Sequence, residues 1–408
     1  MTPDTQVVAA SAPASRAPLL LVAAAPLVLL AVLVAWLYRS GPADTLRGNY
    51  PPVERLTFQR VALADGVIQA TILNDGPDPV TIAQVAVDDA FWTFTATNGG
   101  PLPHLGRTTL TIPYPWVHGE THTVRVITST GLTFDHTIGV AVPSPGFTVE
   151  ALGVFALIGL YVGVLPVAIG LLWYPFVSRL GRAGLDFVLA LTVGLLLFLL
   201  VDASSEGAGL AASLPDSLQG AVVLVFVAAA AYLTLESFGR WLHARRRGRD
   251  AASGWVLALL VAVGIGLHNF GEGLAIGAAF ALGEAALGTL LIVGFTLHNT
   301  TEGLAIVAPL ARAQPTGERA PVGALVKLGL IGGAPMIAGA WLGGLSYAPL
   351  WSVVFLALGI GAIAQVSVLL LRQMAGERSV LGFVTSAPAL GGLACGVVLM
   401  YVTGMLIG

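Results

Sequence analysis

Two stretches decide how this chain is read: "LHNFGEGLAIG", Leu267 to Gly277, and "LHNTTEGLAIV", Leu297 to Val307. Each sets a histidine, an asparagine and a glutamate in the pattern H-N-x-x-E-G, and each lies at the middle of a long apolar run, 254 to 282 and 285 to 311. A helix crosses a ~30 Å hydrocarbon layer with about 20 residues, so both runs are long enough to span, and both motifs fall near the midplane. Residues three and four apart share a helix face, which gathers His268, Asn269 and Glu272 on one helix and His298, Asn299 and Glu302 on the next. A short connection around "GEAA" makes the two helices antiparallel neighbours.

The rest of the chain agrees with a membrane setting. Of its 408 residues 56% are hydrophobic and 10% charged, against roughly 25% charged in soluble domains. The 50 glycines suit close helix contact in lipid, where no hydrophobic effect draws helices together. The single cysteine, Cys395, excludes an intrachain disulfide and a cysteine-rich metal site. The formal charge of -3 does not suggest a nucleic-acid partner.

Four segments follow from composition: a cytoplasmic tail over 1–18, an apolar run over 19–38, a β-rich region over 50–146 and a helical region over 150–408. The run from Leu19 to Leu37 exceeds the 7 to 15 residues of a signal-peptide core and no A-x-A-like site follows, which favours a retained anchor over a cleaved signal. Alternating stretches such as "GVIQATILN", "VTIAQVAV", "FWTFTAT", "HTVRVIT" and "LTFDHTIGV", separated by Gly, Pro, Asn and Asp, predict an Ig-like antiparallel sandwich. Eight apolar runs follow, near 152–175, 184–201, 217–236, 254–282, 285–311, 321–346, 349–371 and 380–407. Backbone polar groups cannot face lipid unpaired, so these are helices.

Lys and Arg fall in the odd-numbered loops between the eight runs: Arg179 and Arg182; Arg240, Arg245, Arg246, Arg247 and Arg249; Arg312 and Arg319, with Lys327 at the next helix start; Arg372 and Arg378. The even loops have none. The positive-inside rule then places the odd loops in the cytoplasm and both ends of the bundle, with the β domain, outside.

An ionised glutamate at midplane costs on the order of 2.5 to 3.5 kcal/mol. Two facing one another repel as well. A divalent cation removes both penalties, and two carboxylates, two imidazoles and two amide oxygens make a mixed N/O set suited to zinc, iron, manganese and similar ions. Interhelical hydrogen bonding alone would explain one such residue, but not six costly ones repeated in register. The H-x-x-x-E order differs from the H-E-x-x-H of zinc proteases. Gly273, Gly303 and Gly271 predict close helix approach or local unwinding around the motifs.

The paired motifs resemble the fourth- and fifth-helix motifs of the ZIP (Zrt/Irt-like) divalent metal transporters, above all the bacterial type with H-N-x-P-E-G in both. The resemblance covers roughly 150–408 and leaves out the anchor and the β domain. It implies an eight-helix bundle with both ends outside. It also implies one metal site from His268, Glu272, His298 and Glu302, a second towards Asn269 and Asn299 sharing the glutamates, and inward movement of metal by alternating access. Zinc is the foremost expected substrate, with iron, manganese, cobalt and cadmium in the same class, and the expected address is a bacterial plasma membrane. Departures from the family pattern are Gly271 and Thr301 in place of proline, Ala334 where a sixth-helix acid is usual, and Gln365 as the only polar candidate on the seventh. The second metal site is the one these departures put in question.

Asp202 and Glu206, one turn apart at the outer end of the second run, and Gln365 are weaker candidates for the ion path. Glu236 beside Arg240 reads as a surface pair, and His104, His118, His122 and His136 are scattered over the β region, where only the even spacing of His118 and His122 offers a minor alternative metal site. Expected partners are membrane lipid and the divalent ion, with a homodimer and an extracytoplasmic partner of the β domain left open. Two other classes share the same ligands: a membrane-embedded metal-dependent hydrolase, with a glutamate as base, and a metal sensor signalling through the β domain. The transporter reading expects no enzymatic activity.

Overall fold

The computed structural model describes residues 17–40, 51–146, 148–245, 250–282, 284–313, 320–346, 348–376 and 379–405. The expected tail before residue 17 and Arg246, Arg247, Arg249, Arg319 and Arg378 lie outside the described residues. The chain divides into two units, Met1–Val53 and Glu54–Gly408. Among its described residues the first contains one helix, α1 (Ala17–Ser40), with Pro26 inside it. Its side chains from Leu27 to Trp36 are exposed.

The second unit opens with eight strands: β1 (Leu56–Ala64), β2 (Val67–Asn74), β3 (Ile82–Val87), β4 (Ala90–Trp92), β5 (Thr95–Ala96), β6 (Arg107–Ile112), β7 (His122–Thr128) and β8 (Thr133–Ile138). They form two four-stranded antiparallel sheets, ordered β1-β2-β6-β5 and β4-β3-β7-β8. Alternate residues point inward, and Ile68, Ile72 and Leu110 of one sheet share a core with Val85, Val124 and Val126 of the other. The β3–β4 hairpin turns on Asp88 and Asp89, both left-handed (φ 50° and 62°), as a two-residue turn matching strand twist requires. Asp88 also gathers side chains. Tyr114 Oη donates to Asp88 Oδ2 at 2.7 Å, His122 Nδ1 meets the same oxygen at 2.7 Å, and the Thr123 N–H donates to Oδ1 at 2.8 Å. Partial burial opposes ionisation of Asp88, but these bonds outweigh it and hold the carboxyl below its usual range. Burial and the same carboxylate push the Tyr114 hydroxyl up to about 12.

Among the described residues of the second unit, eight helices are long and apolar enough to cross a membrane. In order they are Val149–Val177, Arg182–Ala212, Gly220–Leu242, Gly254–Ala281, Ala285–Arg312, Val322–Leu345, Pro349–Ala375 and Ala387–Met405. Thr148 caps the first, its hydroxyl accepting from the Ala151 N–H at 3.1 Å, with Glu150 in the first turn where the helix dipole favours an acid. The second runs eleven residues past its expected end at 201, so Asp202 and Glu206 sit inside the helix and not at its outer end. The last run is broken, with a short helix Val380–Val384 before Ala387–Met405.

Two helices are irregular in their middles. The first passes through a π turn, Leu160–Val164, ahead of Pro166. The sixth is interrupted at Ala334, between Val322–Gly333 and Pro335–Ser346. A proline has no N–H to return to the carbonyl four residues earlier and its ring crowds that turn, which accounts for both positions. The fourth and fifth helices, by contrast, are unbroken through their motifs. The expected local unwinding therefore occurs, but in the helices packed against the motifs.

Glycine governs that packing. A Cβ on Gly273 would lie 2.2 Å from the Met336 carbonyl of the sixth helix, and one on Gly303 would lie 2.2 Å from the Val167 carbonyl of the first. The motif glycines thus bring the fourth helix onto the sixth and the fifth onto the first. Gly271 faces only Leu356 at 3.6 Å, an ordinary contact.

The sandwich meets the bundle at two connections. Val140 forms an isolated parallel bridge with Glu284, between the fourth and fifth helices, and Arg55 pairs with Asp216, between the second and third, at 2.6 Å. Both connections belong to the set without Lys or Arg.

Candidate metal centre

The antiparallel fourth and fifth helices bring the two motifs face to face. One ligand atom from each of His268, Glu272, His298 and Glu302 lies within 4.8 Å of all the others. Two ligands each about 2.1 Å from a zinc ion stand at most about 4.2 Å apart, so closing this set on one ion requires side-chain shifts of a fraction of an ångström. All four side chains are buried. Among the described residues this is the one His/Cys/Asp/Glu group of such compactness.

Glu272 sits at the middle. His298 Nε2 lies 2.5 Å from its Oε1, Asn299 Nδ2 donates to its Oε2 at 3.2 Å, and His268 Nε2 approaches Oε1 at 3.1 Å without hydrogen-bond alignment. Glu302 is different. Its Oε1 is 4.0 Å from His268 Nε2, and both carboxylate oxygens are buried without a hydrogen-bond partner.

The two asparagines reach in matching directions. Asn269 Nδ2 donates to the Gly332 carbonyl of the sixth helix at 3.0 Å, and Asn299 Nδ2 to the Val162 carbonyl of the first at 2.9 Å. Val162 lies in the π turn four residues before Pro166, and Gly332 lies just before the interruption at Ala334. Asn299 Nδ2 thus serves both the Val162 carbonyl and Glu272 Oε2, and Asn269 Oδ1 and Asn299 Oδ1 are both buried and unpartnered. Thr301, where the ZIP pattern has proline, turns its hydroxyl back to the His298 carbonyl at 2.6 Å and keeps the helix continuous.

The unpartnered atoms are therefore chemically alike. The Glu302 oxygens, the two asparagine oxygens and one ring nitrogen of neutral His268 offer lone pairs in a buried setting, the other His268 nitrogen carrying the N–H. Leaving each unsatisfied costs roughly 1 to 3 kcal/mol, and such a group calls for an explanation. A divalent cation accepts from several of them at once, so the residues present fit a metal ion.

The weaker candidates separate. Glu206 lines a cavity of about 200 Å³ with Gly271, Ala275, Glu284 and Ser352, leading along the fourth helix towards the connection that meets the β sandwich. It is within electrostatic range of His268 and Glu272. Asp202 is exposed and does not line that cavity. Gln365 is buried, but its amide donates to Glu236 Oε2 at 3.3 Å, away from the His/Glu group. Glu236 also accepts from Arg240, as expected, and from Arg372 at 3.2 Å. Glu284 and Ser352 on the cavity wall were not singled out from sequence. The carbonyls of Val162 and Gly332 were not either, and the signal for them was a proline near the middle of each of two apolar runs.

No protein-family model matches the chain, and no curated protein matches it.

Proposed function

We propose that the protein is an integral membrane transporter of divalent transition-metal cations, similar to the ZIP family, that carries metal into the cytoplasm through the His268, Glu272, His298 and Glu302 group. One observation carries the reading. Unsatisfied imidazole, carboxylate and amide donors converge inside helices long enough to span a bilayer, where the acids are expensive unless a cation offsets them. The cavity at Glu206 supports an approach route. It opens beside the connection containing Glu284, on the side of the arginine-free loops, and its acid attracts cations. From there an ion exchanges water for the His268 and Glu302 donors.

In this reading Asn269 and Asn299 are held by the broken turns of the sixth and first helices, and their unpartnered oxygens are free to serve the ion. Zinc is the leading substrate by ligand type, with iron, manganese, cobalt and cadmium in the same class. The distribution of arginines supports an extracytoplasmic β domain, and the resemblance to the ZIP family supports a plasma-membrane address.

Uptake of radioactive zinc, iron or manganese into proteoliposomes tests the proposal. Wild type accumulates at least one of the three ions, and the double variant His268→Ala, Glu302→Ala does not. Equal accumulation by both removes the assignment. Product formation from a lipid or peptide without ion flux assigns the centre to a hydrolase, and binding without flux assigns it to a sensor.

A further inference from the structure

A second concavity lies away from the metal centre. The first and sixth helices diverge over a groove of about 590 Å³, within the roughly 300 to 1,000 Å³ of ligand sites. Its walls are apolar and come from Ala168, Leu172, Leu325 and Leu330, among others, and one end is closed by Ser178 and Arg179. Arg179 follows Val177, the last residue of the first long helix, so the polar end of the groove coincides with the end of the apolar span.

The groove has two chemically distinct parts. From Val322 to Leu330 it follows about 12 Å of helix rise, close to the ~15 Å depth of one leaflet of a bilayer. Arg179 is exposed, and among the described residues its guanidinium has neither an ion pair nor a side-chain hydrogen bond. The nearby acid Asp186 is engaged by Arg312 at 3.1 Å. Arg182, three residues on, has no described ion pair either. A cationic end with no counter-charge among the described residues, joined to an apolar trough of leaflet depth, complements one class of molecule, a lipid with an anionic headgroup and an acyl chain.

We infer that this groove binds an anionic phospholipid, with the headgroup phosphate at Arg179 and an acyl chain along Ala168, Leu172 and Leu325. The inference rests on the membrane setting of the bundle and not on the metal assignment. Its deep end, at Val164 and Leu330, lies two residues from Val162 and Gly332, so an occupant presses against the two broken turns that hold the asparagines.

Native mass spectrometry of the full chain in detergent tests this with phosphatidylglycerol and phosphatidylcholine of identical acyl chains. Wild type retains phosphatidylglycerol in preference to phosphatidylcholine. Arg179→Gln, a change at an exposed position, lowers phosphatidylglycerol retention about fivefold and leaves phosphatidylcholine unchanged. Ala168→Trp, which fills the trough from an exposed position, lowers retention of both. Equal retention of the two lipids by wild type overturns the inference, as does undiminished phosphatidylglycerol binding by both variants. A shift in the monomer–dimer ratio of Ala168→Trp with lipid retention unchanged overturns it too, and assigns the groove to a contact between copies.

Discussion

Asn299 donates its amide N–H to the carbonyl of Val162, 137 residues earlier in the chain, at 2.9 Å. In a regular helix that carbonyl would accept from residue 166, which is proline. The costly asparagine and the helix-breaking proline thus answer one another, and the amide oxygen is left directed by a backbone that cannot withdraw.

Pro166→Ala tests that dependence. An alanine supplies an N–H that competes for the Val162 carbonyl and releases Asn299, while helix propensity improves. Zinc affinity by titration calorimetry falls about 10-fold or more, as when an outer partner of a ligand is lost, with helicity by circular dichroism unchanged.

Glu302→Gln separates the cost of the centre from its use. Replacing a buried carboxylate without a hydrogen-bond partner by a neutral amide stabilises the chelated protein, by up to about 2 to 3 kcal/mol. Wild type gains about 2.7 kcal/mol at a metal concentration 100 times Kd, and the variant loses most of this gain. Thermal scans with chelator and with zinc read both effects.

Gly273→Ala and Gly303→Ala each force a methyl to 2.2 Å from a backbone carbonyl. Overpacking of this kind costs about 1 to 3 kcal/mol and lowers Tm. Gly271→Ala, whose methyl meets Leu356 at 3.6 Å, leaves Tm within about a degree of wild type or raises it, because alanine favours the helix.

His136 provides a pH test outside the bundle. Its ring stacks on Phe58 at 5.3 Å, its Nε2 is buried without a partner, and burial lowers its pKa from the ordinary 6.5. The unfolded chain therefore takes up the proton first. The contribution to stability is complete above pH 6.5, declines as pH falls through the lowered folded value, and levels off below it. Hydrogen-exchange protection of β8 amides in the full-length protein shows this decline, and His136→Gln removes that component.

The sequence made the expensive parts of this molecule legible. Histidine, asparagine and glutamate are rare in mid-membrane and stand out against Leu, Ala and Gly, and helical spacing alone put His268 with Glu272 and His298 with Glu302. Strands announced themselves by alternation, although β1, with a bulge between Phe58 and Arg60, and the threonine-rich β6 were not among the stretches that stood out. What remained hidden depended on distant partners. Gln365, polar in an apolar run, could be read either as lining a path or as bonding a neighbouring helix; its amide nitrogen donates to Glu236, 129 residues away, while its oxygen is buried and unpartnered. Asp202 and Glu206 looked terminal because polarity was taken for the end of a helix that continues to Ala212.

The β sandwich holds the bundle by two dissimilar grips. One is a backbone bridge from Val140 to the fourth-to-fifth connection, and the other is a solvent-exposed ion pair from Arg55 to the second-to-third. Exposed ion pairs contribute little and weaken with salt, so the second grip is the weaker of the two. The backbone bridge thus ties the sandwich to the connection between the two motif-bearing helices with little dependence on ionic strength, whereas the ion pair loosens as salt rises.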